Sequence, residues 1–357
     1  MVATFLSNFA RAQRQPVDRW SVGVILLCGL ILGPVLAVLV VAFGDSGGLW
    51  SHLYDTVLGR YISNTLILMA GVGVVAIGFG VSSAWVVSRY DFAGRRILEW
   101  MLLLPAAIPA YIIAYSYTEF FEYAGPLQSA LRHLFDWQSP RDYWFPEIRS
   151  LGGAILVMAS VLYPYIYMVT RIAFRLTPAS LFEIALVHNR SQFWQVGLPL
   201  ARPAIMAGLA LVMMEVMSDF GTVEFFAIET ITLGIFNVWL GMNNLVAAAQ
   251  ISIVGFGFIL ALLGLELYAR SRQQYVSSSR NQTPLAMLVP TKAGIMACWA
   301  VCFIPLLFGF FIPVGVLLGL VATNDLLADF MAIQGIIGNT LIVAAIAAVV
   351  IMVLSAF

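Results

Sequence analysis

Apolar runs of about 20 residues recur along this chain of 357 residues, and each is long enough to cross a bilayer core of roughly 30 Å as a helix. The chain is 61% hydrophobic and 10% charged, whereas a soluble domain carries about 25% charged residues. The runs are continuous, unlike the alternating segments of about ten residues in a membrane β-barrel. The sequence therefore predicts an all-α membrane protein, a polytopic helical bundle with about eight spans.

The spans divide the chain into four predicted parts. Residues 1–20 form a polar N-terminal segment, 21–268 a first six-span unit, 269–292 a polar linker, and 293–357 the start of a second, incomplete unit. The first apolar run is too long for a signal-peptide core and lacks a small-residue cleavage site, which indicates a retained span. The spans are predicted at about 21–43, 62–87, 97–118, 151–173, 203–219, 245–268, 293–321 and from 336 onward.

The distribution of basic residues gives the predicted orientation. With the N-terminus inside, 14 of the 18 basic residues fall inside, and only Arg60, Arg132, Arg141 and Arg149 fall outside. Cytoplasmic segments of membrane proteins carry an excess of Lys and Arg. We therefore expect a multi-pass protein of the cell inner (cytoplasmic) membrane whose N-terminus and loop 174–202 are cytoplasmic, with loop 119–150 on the other side.

Loop 174–202 carries start signals for a short helix. Thr177 before Pro178 suits an N-cap followed by a first-turn proline, and Ser180 with Glu183 forms a capping-box pattern. The signals predict a helix over about 178–188, and a capped helix in a short loop between spans suggests a docking element. One predicted face carries Leu181, Ile184, Ala185 and His188. The pattern also fits an ordinary interfacial helix that binds nothing.

The same loop resembles a signature of the permeases of ABC importers. Glu183-Ile184-Ala185 and Leu198-Pro199 match its Glu-Ala-Ala and Leu-Pro elements, whereas Asn189 stands where the signature has Gly. The spacing from Glu183 to Pro199 is also about three residues shorter than the family pattern. The resemblance implies that this loop contacts a separate ATPase subunit. The implied coupling residues are Ser180, Glu183, Ile184, Ala185, Asn189, Gly197, Leu198 and Pro199.

An internal repeat links the two ends of the chain. Ile62-Ser63-Asn64-Thr65-Leu66-Ile67 recurs as Ile337-Gly338-Asn339-Thr340-Leu341-Ile342, 275 positions later, and Pro34-Val35 recurs as Pro313-Val314. The repeat predicts that a second copy of the six-span unit begins near residue 293 and is truncated. Chance similarity between apolar helices is the alternative.

Further stretches resemble the fused inner-membrane permease of ferric-iron ABC importers. They lie at 109–118, 123–130, 218–223, 232–236 and 239–242. The resemblance implies a type I permease that works with two ATPase subunits, an extracytoplasmic solute-binding protein and a second permease half. Thiamine importers share the fused layout, so thiamine or another small solute stays open as the substrate. No nucleic-acid partner is expected.

The chain lacks a Gly-rich phosphate loop with Gly-Lys-Ser or Gly-Lys-Thr. The chain is therefore predicted not to be an enzyme and not to bind a cofactor. ATP would be used by the partner subunit. No His/Cys spacing suits zinc, and no metal ligand is assigned.

Two groups of polar residues are candidates for a translocation pathway. Glu215 and Asp219 are four apart on the fifth span, where a carboxylate deep in the bilayer costs about 2.5–3.5 kcal/mol and needs a polar surrounding. A structural hydrogen bond to another helix would satisfy them equally. Tyr115, Glu119 and Glu122 follow at the outer end of the third span, where they could line an entrance or form a solvated helix end.

Two other functions remain open. One is an ATP-independent secondary transporter or channel, whose marker would be charged pairs or broken helices in several central spans; in the sequence only Glu215 qualifies clearly. The other is an inactive, truncated permease.

Overall fold

A computed structural model describes residues 19–271, 287–323 and 326–355. Within these ranges the backbone forms helices and turns, and the only bridge is an isolated one between Tyr90 and Leu288. The predicted fold class, an all-α membrane protein, is confirmed. Residues 1–18 of the predicted N-terminal segment and 272–286 of the predicted linker lie outside the described ranges.

Four π-helical turns in the described ranges are continuous with a neighbouring α-helix. In chain order the helices and turns are α1 Arg19–Ala42, α2 Leu49–Leu53, a π turn Tyr54–Leu58, α3 Gly59–Arg89, α4 Arg95–Met101, a 3-10 turn Leu104–Ala107, α5 Ala110–Phe121, α6 Pro126–Phe135, α7 Leu151–Leu176, α8 Ala179–Val187, a π turn Phe193–Gly197, α9 Leu198–Ser218, α10 Gly221–Phe225, α11 Ile231–Phe236, a π turn Asn237–Gly241, α12 Leu245–Ser271, α13 Lys292–Leu306, a π turn Leu307–Phe311, α14 Ile312–Thr323 and α15 Leu326–Ser355.

Seven helical stretches among the described residues are long and apolar enough to cross a membrane, or up to eight if one bent pair is a single span. This agrees with the predicted number. The fifth span begins earlier than predicted, because the π turn Phe193–Gly197 continues into α9, which opens at Leu198. Gly197 and Pro199 therefore do not end a helix there, and Pro199 lies in the first turn of α9, where proline is tolerated.

The predicted third span, 97–118, is not one helix. The segments Arg95–Ala107 and Ala110–Phe135 are bent by 91°, and we call residues 102–109 between α4 and α5 the first break. Pro105 and Pro109 explain it, because proline lacks the backbone N–H and disfavours helical geometry in the residue before it. Ile108, which precedes Pro109, is extended at φ −108° and ψ 124°.

The chain separates into two compact units. Of the described residues, 19–44 and those after 320 form one unit, and those from 45 to 320 form the other. In the first unit, the most apolar windows of α1 and α15 are fully unburied, which suits helices whose side chains meet lipid. The division into repeats at 21–268 and 293–357 stays a prediction.

The core of the unit 45–320 is built where α3 and α9 pack on α7. Glycines permit the approach: a Cβ at Gly208 of α9 would lie 2.8 Å from Ile166 Cα, and one at Gly80 of α3 would lie 3.0 Å from Tyr163 O. Small residues commonly allow such close helix packing in membranes. Gly71 and Gly73 of α3 also lie close to side chains of α7 and α9, whereas a Cβ at Gly78 would meet nothing within 4 Å.

Residues 288–311 belong to the same unit, 45–320. Asp91 N donates to Leu288 O at 2.9 Å, and Leu288 N donates to Arg89 O at 2.9 Å. Further along, Tyr117 Oη donates to Phe308 O at 2.7 Å. The start of the second predicted unit is therefore fixed to α3 and α5 of the first.

Replacing Gly208 by alanine tests the close packing. Since the added methyl would press on backbone atoms of α7, we expect Gly208→Ala to destabilise the protein by about 1–3 kcal/mol, the usual cost of overpacking. Gly78→Ala is the matched control and should cost nothing. Thermal unfolding of the purified protein in detergent measures both, and equal midpoints for the two variants would contradict the packing.

Candidate docking helix and translocation segment

The docking helix, α8, runs from Ala179 to Val187, but its predicted side-chain caps do not form. Its N-cap is Pro178, without a side-chain hydrogen bond. Thr177 instead donates its Oγ1 proton to Ala173 O at 2.9 Å, bonding back into the last turn of α7. Ser180 lies inside the helix rather than before it, so the capping box with Glu183 is wrong.

The two faces of α8 differ from the predicted one. Ala179, Phe182 and Ala185 are 5%, 1% and 6% exposed and turn toward the spans. The opposite side exposes apolar side chains together with polar ones. The predicted face therefore combines Ala185 of the buried side with Leu181, Ile184 and His188 of the exposed side. The exposed residues are Ser180, Leu181, Glu183, Ile184, Leu186, Val187 and His188.

The buried face of α8 packs on the end of α3 that contains Trp85 and Arg89. This is the end of α3 that is predicted to be cytoplasmic. The ring of Trp85 lies 5.2 Å from that of Phe174, 6.0 Å from that of Phe182 and 5.1 Å from that of Phe193, centroid to centroid. Gly197 lies against the same indole, since a Cβ there would come within 2.6 Å of it. The aromatic group therefore fixes both ends of the loop to α3.

A buried polar bridge reinforces this packing. Arg89 Nε donates to Gln192 Oε1 at 2.9 Å, and Gln192 Nε2 donates to Phe182 O at 3.0 Å. The Arg89 guanidinium also lies 5.7 Å from the centroid of the Phe182 ring. Arg89 and Gln192 are 3% and 8% exposed. Because buried polar groups are costly without partners, this bridge holds α8 in one position on α3.

Asn189 explains how the loop accommodates the missing signature glycine. It adopts φ 51°, in the left-handed region that glycine and then asparagine favour. Asn189 N donates to Leu186 O at 2.9 Å and Arg190 N donates to Ala185 O at 2.8 Å. This pair of bonds is a Schellman motif, which commonly ends a helix at such a residue.

The first break exposes several residues midway along the predicted third span. Ala106, Ala107 and Pro109 are exposed, whereas Leu102 and Pro105 are buried. Backbone polar groups outside a helix are tolerated at membrane depth only where protein buries them or where they line an aqueous cavity. The exposed side of the first break is therefore the kind of surface that borders a water-filled path.

A second break follows α9, at residues 219–220. The helix ends at Ser218, so Asp219 does not continue the helical face of Glu215 as predicted. Asp219 instead accepts hydrogen bonds from Thr222, at 2.8 Å from its N to Oδ1 and at 3.1 Å from its Oγ1 to Oδ2. These bonds cap the start of α10. Glu215 is exposed, and its place on a path stays a prediction.

The helices that follow the two breaks, α5 and α10, are in contact. A Cβ at Gly221 would lie 3.0 Å from Tyr111 Cβ, and the rings of Tyr115 and Phe225 are 6.1 Å apart in an edge-on arrangement. Tyr115 and Asp219, two of the predicted pathway residues, are therefore on neighbouring segments. Sequence reasoning missed the first break, although the prolines at 105 and 109 were its signal.

Glu119 and Glu122 lie at the outer end of α5, and their surroundings differ. Glu119 is exposed, while Glu122 Oε1 pairs with Arg149 Nε at 2.7 Å, with side chains 44% and 52% exposed. Arg149 also lies 5.1 Å from the ring centroid of Phe225 in α10. In the described ranges no group of three or more His, Cys, Asp or Glu residues could hold a metal ion.

Curated relatives of this chain are permease proteins. It is 26% identical over 269 residues to the Fe(3+)-transport system permease protein FbpB 2 of Haemophilus influenzae, covering 74% of this chain and 47% of that protein. It is 25% identical to the sulfate transport system permease protein CysW of Escherichia coli, covering 61% and 75% respectively. A probable molybdenum ABC transporter permease protein of Haloferax volcanii is 26% identical, over 69% and 89%. The chain thus spans about half the length of the ferric-iron relative.

The fold matches a solved transporter. A bacterial ABC transporter involved in the import of the acidic polysaccharide alginate aligns with a TM-score of 0.54 at 16% identity, covering 72% of this chain and 96% of that chain. The model of the family "binding-protein-dependent transport system inner membrane component" matches residues 76–274, which is more than half of the chain. The chain therefore belongs to this family of multi-pass inner-membrane permease components, which are transporter subunits rather than enzymes.

Proposed function

We propose that this chain is a membrane-spanning permease subunit of an ATP-driven importer and that the docking helix α8 contacts a separate ATPase subunit. One observation carries the proposal: α8 is fixed to the spans by one face while the other face exposes Leu181, Ile184 and Val187 by 38%, 55% and 83%. Apolar side chains clustered on an exposed short helix are typical of a helix that docks in a groove. Glu183 lies on the exposed side and can bond into that groove.

The proposed orientation places α8 in the cytoplasm, where ATP is available. Arg89, Arg95, Arg96, Arg171, Arg175, Arg190 and Arg202 all lie in or beside the two loops on this side. The excess of basic residues supports a cytoplasmic position for these loops and for the N-terminus. ATP binding to the partner would then shift the permease between inward-facing and outward-facing states.

The proposed translocation path runs past the two breaks. In many transporters, substrates bind near the bilayer midplane where discontinuous helices bring backbone groups to the solute. Here the exposed residues of the first break adjoin Tyr111, which touches Gly221 just after the second break. Glu215, Tyr115 and Glu119 stay candidates for the path, whereas Asp219 also has a capping role.

The proposed partners are two ATPase subunits, an extracytoplasmic solute-binding protein and a second permease half. A solved neighbour, the bacterial alginate ABC transporter in complex with an alginate pentasaccharide-bound periplasmic protein, is similar in fold at a TM-score of 0.51, which supports the second of these. On the outer side of this chain, loop 119–150 offers Trp144, which is 86% exposed, as a contact.

Broken helices also favour a second candidate function, ATP-independent secondary transport, because two breaks now lie among the central spans. The two functions differ in what drives uptake. A secondary transporter would move solute without an ATPase and would leave the apolar side of α8 uncovered.

For the substrate we propose ferric iron, with thiamine or another small solute as the alternative. The ferric-iron relative and the stretches at 109–130 and 218–242 support iron, while the sulfate and molybdenum relatives keep other solutes open. We expect uptake of radioactive ferric iron by cells that express the complete importer to exceed uptake of thiamine, molybdate or sulfate. Saturable uptake of one of these others, with none of iron, would replace the substrate and leave the docking proposal unaffected.

Crosslinking tests the docking helix. In a Cys28→Ala background, which removes the exposed native cysteine, a cysteine at Val187 should crosslink to the ATPase subunit, since that side chain is 83% exposed. Ala185→Cys is the matched control, because the position is only 6% exposed and turned toward the spans. ATP-dependent uptake without a crosslink from Leu181, Ile184 or Val187 would show that the ATPase contacts another element.

A further inference from the structure

Glu99 forms a charged cluster with α7 that includes none of the signature residues from 180 to 199 and no residue of the two breaks. It lies on α4 and is 8% exposed. Its Oε1 pairs with Nη2 of Arg171, and its Oε2 pairs with Nη2 of Arg175 at 2.9 Å. Arg171 and Arg175 are four apart in the last turns of α7, so their side chains lie on one face. A single carboxylate therefore joins α4 to two successive turns of α7.

The backbone of the same residue is also held by α7. Tyr167, one turn before Arg171, donates its hydroxyl proton to Glu99 O at 2.9 Å. The Arg171 guanidinium lies 5.9 Å from the centroid of the Tyr167 ring. Three residues of α7 at successive four-residue intervals thus contact both the main chain and the side chain of Glu99. This arrangement fixes the rotation of α4 as well as its distance from α7.

The cluster lies between the two functional segments along the chain. α7 ends at Leu176, and the docking helix begins at Ala179. On the other side, α4 ends at Met101, and the first break follows at once. A displacement of the docking helix that pulls on the end of α7 therefore reaches the first break through Glu99.

Stability alone does not account for such a cluster. Buried ion pairs lose much of their attraction to desolvation, and apolar residues of similar size often stabilise a fold equally well. Two guanidiniums on one buried carboxylate do, however, permit few alternative geometries, because each pair is directional. Glu122 with Arg149 offers a contrast, since that pair is about half exposed and involves one arginine.

From this arrangement we infer that Glu99 is a positioning residue that transmits movement of the docking helix to the first break. The inference rests on the proposed docking of α8 on an ATPase. Without Glu99, the docking helix still binds the ATPase and ATP is still hydrolysed, but α4 no longer follows α7. Hydrolysis then proceeds with little solute moved.

The test is Glu99→Gln in the complete importer, reconstituted with its ATPase, second permease half and binding protein. The ratio of ATP hydrolysed to solute taken up should rise by about tenfold, within the usual range of coupling between two sites. The crosslink from Val187 should persist. Glu99→Asp, which keeps the charge, should restore most of the wild-type ratio. Asp91→Asn, at a carboxylate 64% exposed that pairs with Arg95, is the matched control and should leave the ratio unchanged.

Several outcomes would overturn the inference, and they differ from a failure of docking. A proportional fall in hydrolysis and uptake, with an unchanged ratio, would mean that Glu99 only supports the fold, and an unchanged ratio at full activity would mean that the cluster is idle. Loss of the Val187 crosslink in Glu99→Gln alone would mean that Glu99 holds the docking helix, whereas absence of that crosslink in the wild type would refute docking itself. If Glu99→Gln does not insert, Arg175→Gln, at a side chain 40% exposed, breaks one pair and must raise the same ratio.

Discussion

The close contact of α3 with α7 is the interaction on which the rest of the structure depends. In lipid there is no hydrophobic driving force between helices, so their association relies on packing at short distance and on hydrogen bonds. Gly80 lets α3 reach the backbone of α7 at Tyr163, and Gly208 does the same for α9 at Ile166.

The helix α3 then carries functional segments at both of its ends. At one end Trp85 and Arg89 hold the docking helix. At the other end Asn64 Nδ2 donates to Glu229 O at 3.0 Å, and Ile231 N donates to Thr65 Oγ1 at 3.0 Å. These bonds fix the chain that follows the second break, so one uninterrupted helix joins the proposed ATPase contact to one of the proposed path segments. Glu99 joins the same contact to the other.

The sequence allowed the fold class, the number of spans and the position of the short helix α8 to be predicted, because continuous apolar runs and a proline near a helix start are local signals. Contacts between distant segments could not be predicted from the sequence. Glu99 has its partners 72 and 76 positions away, and no local pattern names them. The predicted caps of α8 do not form for a similar reason. The side chain of Thr177 could bond to α8 or to α7, and its Oγ1 donates to Ala173 O in the last turn of α7. The Asn64-Thr65 pair of the repeat could be found by comparison within the chain, but its role became visible only with residues 229–231 in place.

Aqueous labelling of a cysteine at Ala107, in the Cys28→Ala background of the complete importer, tests the central claim that the first break borders a path whose access depends on the docking helix. The residue is exposed at the end of the 3-10 turn in the first break, whereas Val74, 72% exposed on the regular helix α3, is the control. We expect a membrane-impermeant thiol reagent to label Ala107→Cys at rates that differ between ATP-bound and nucleotide-free importer, and to leave Val74→Cys unlabelled in both. Equal labelling of Ala107→Cys in both states, or none in either, would contradict the account.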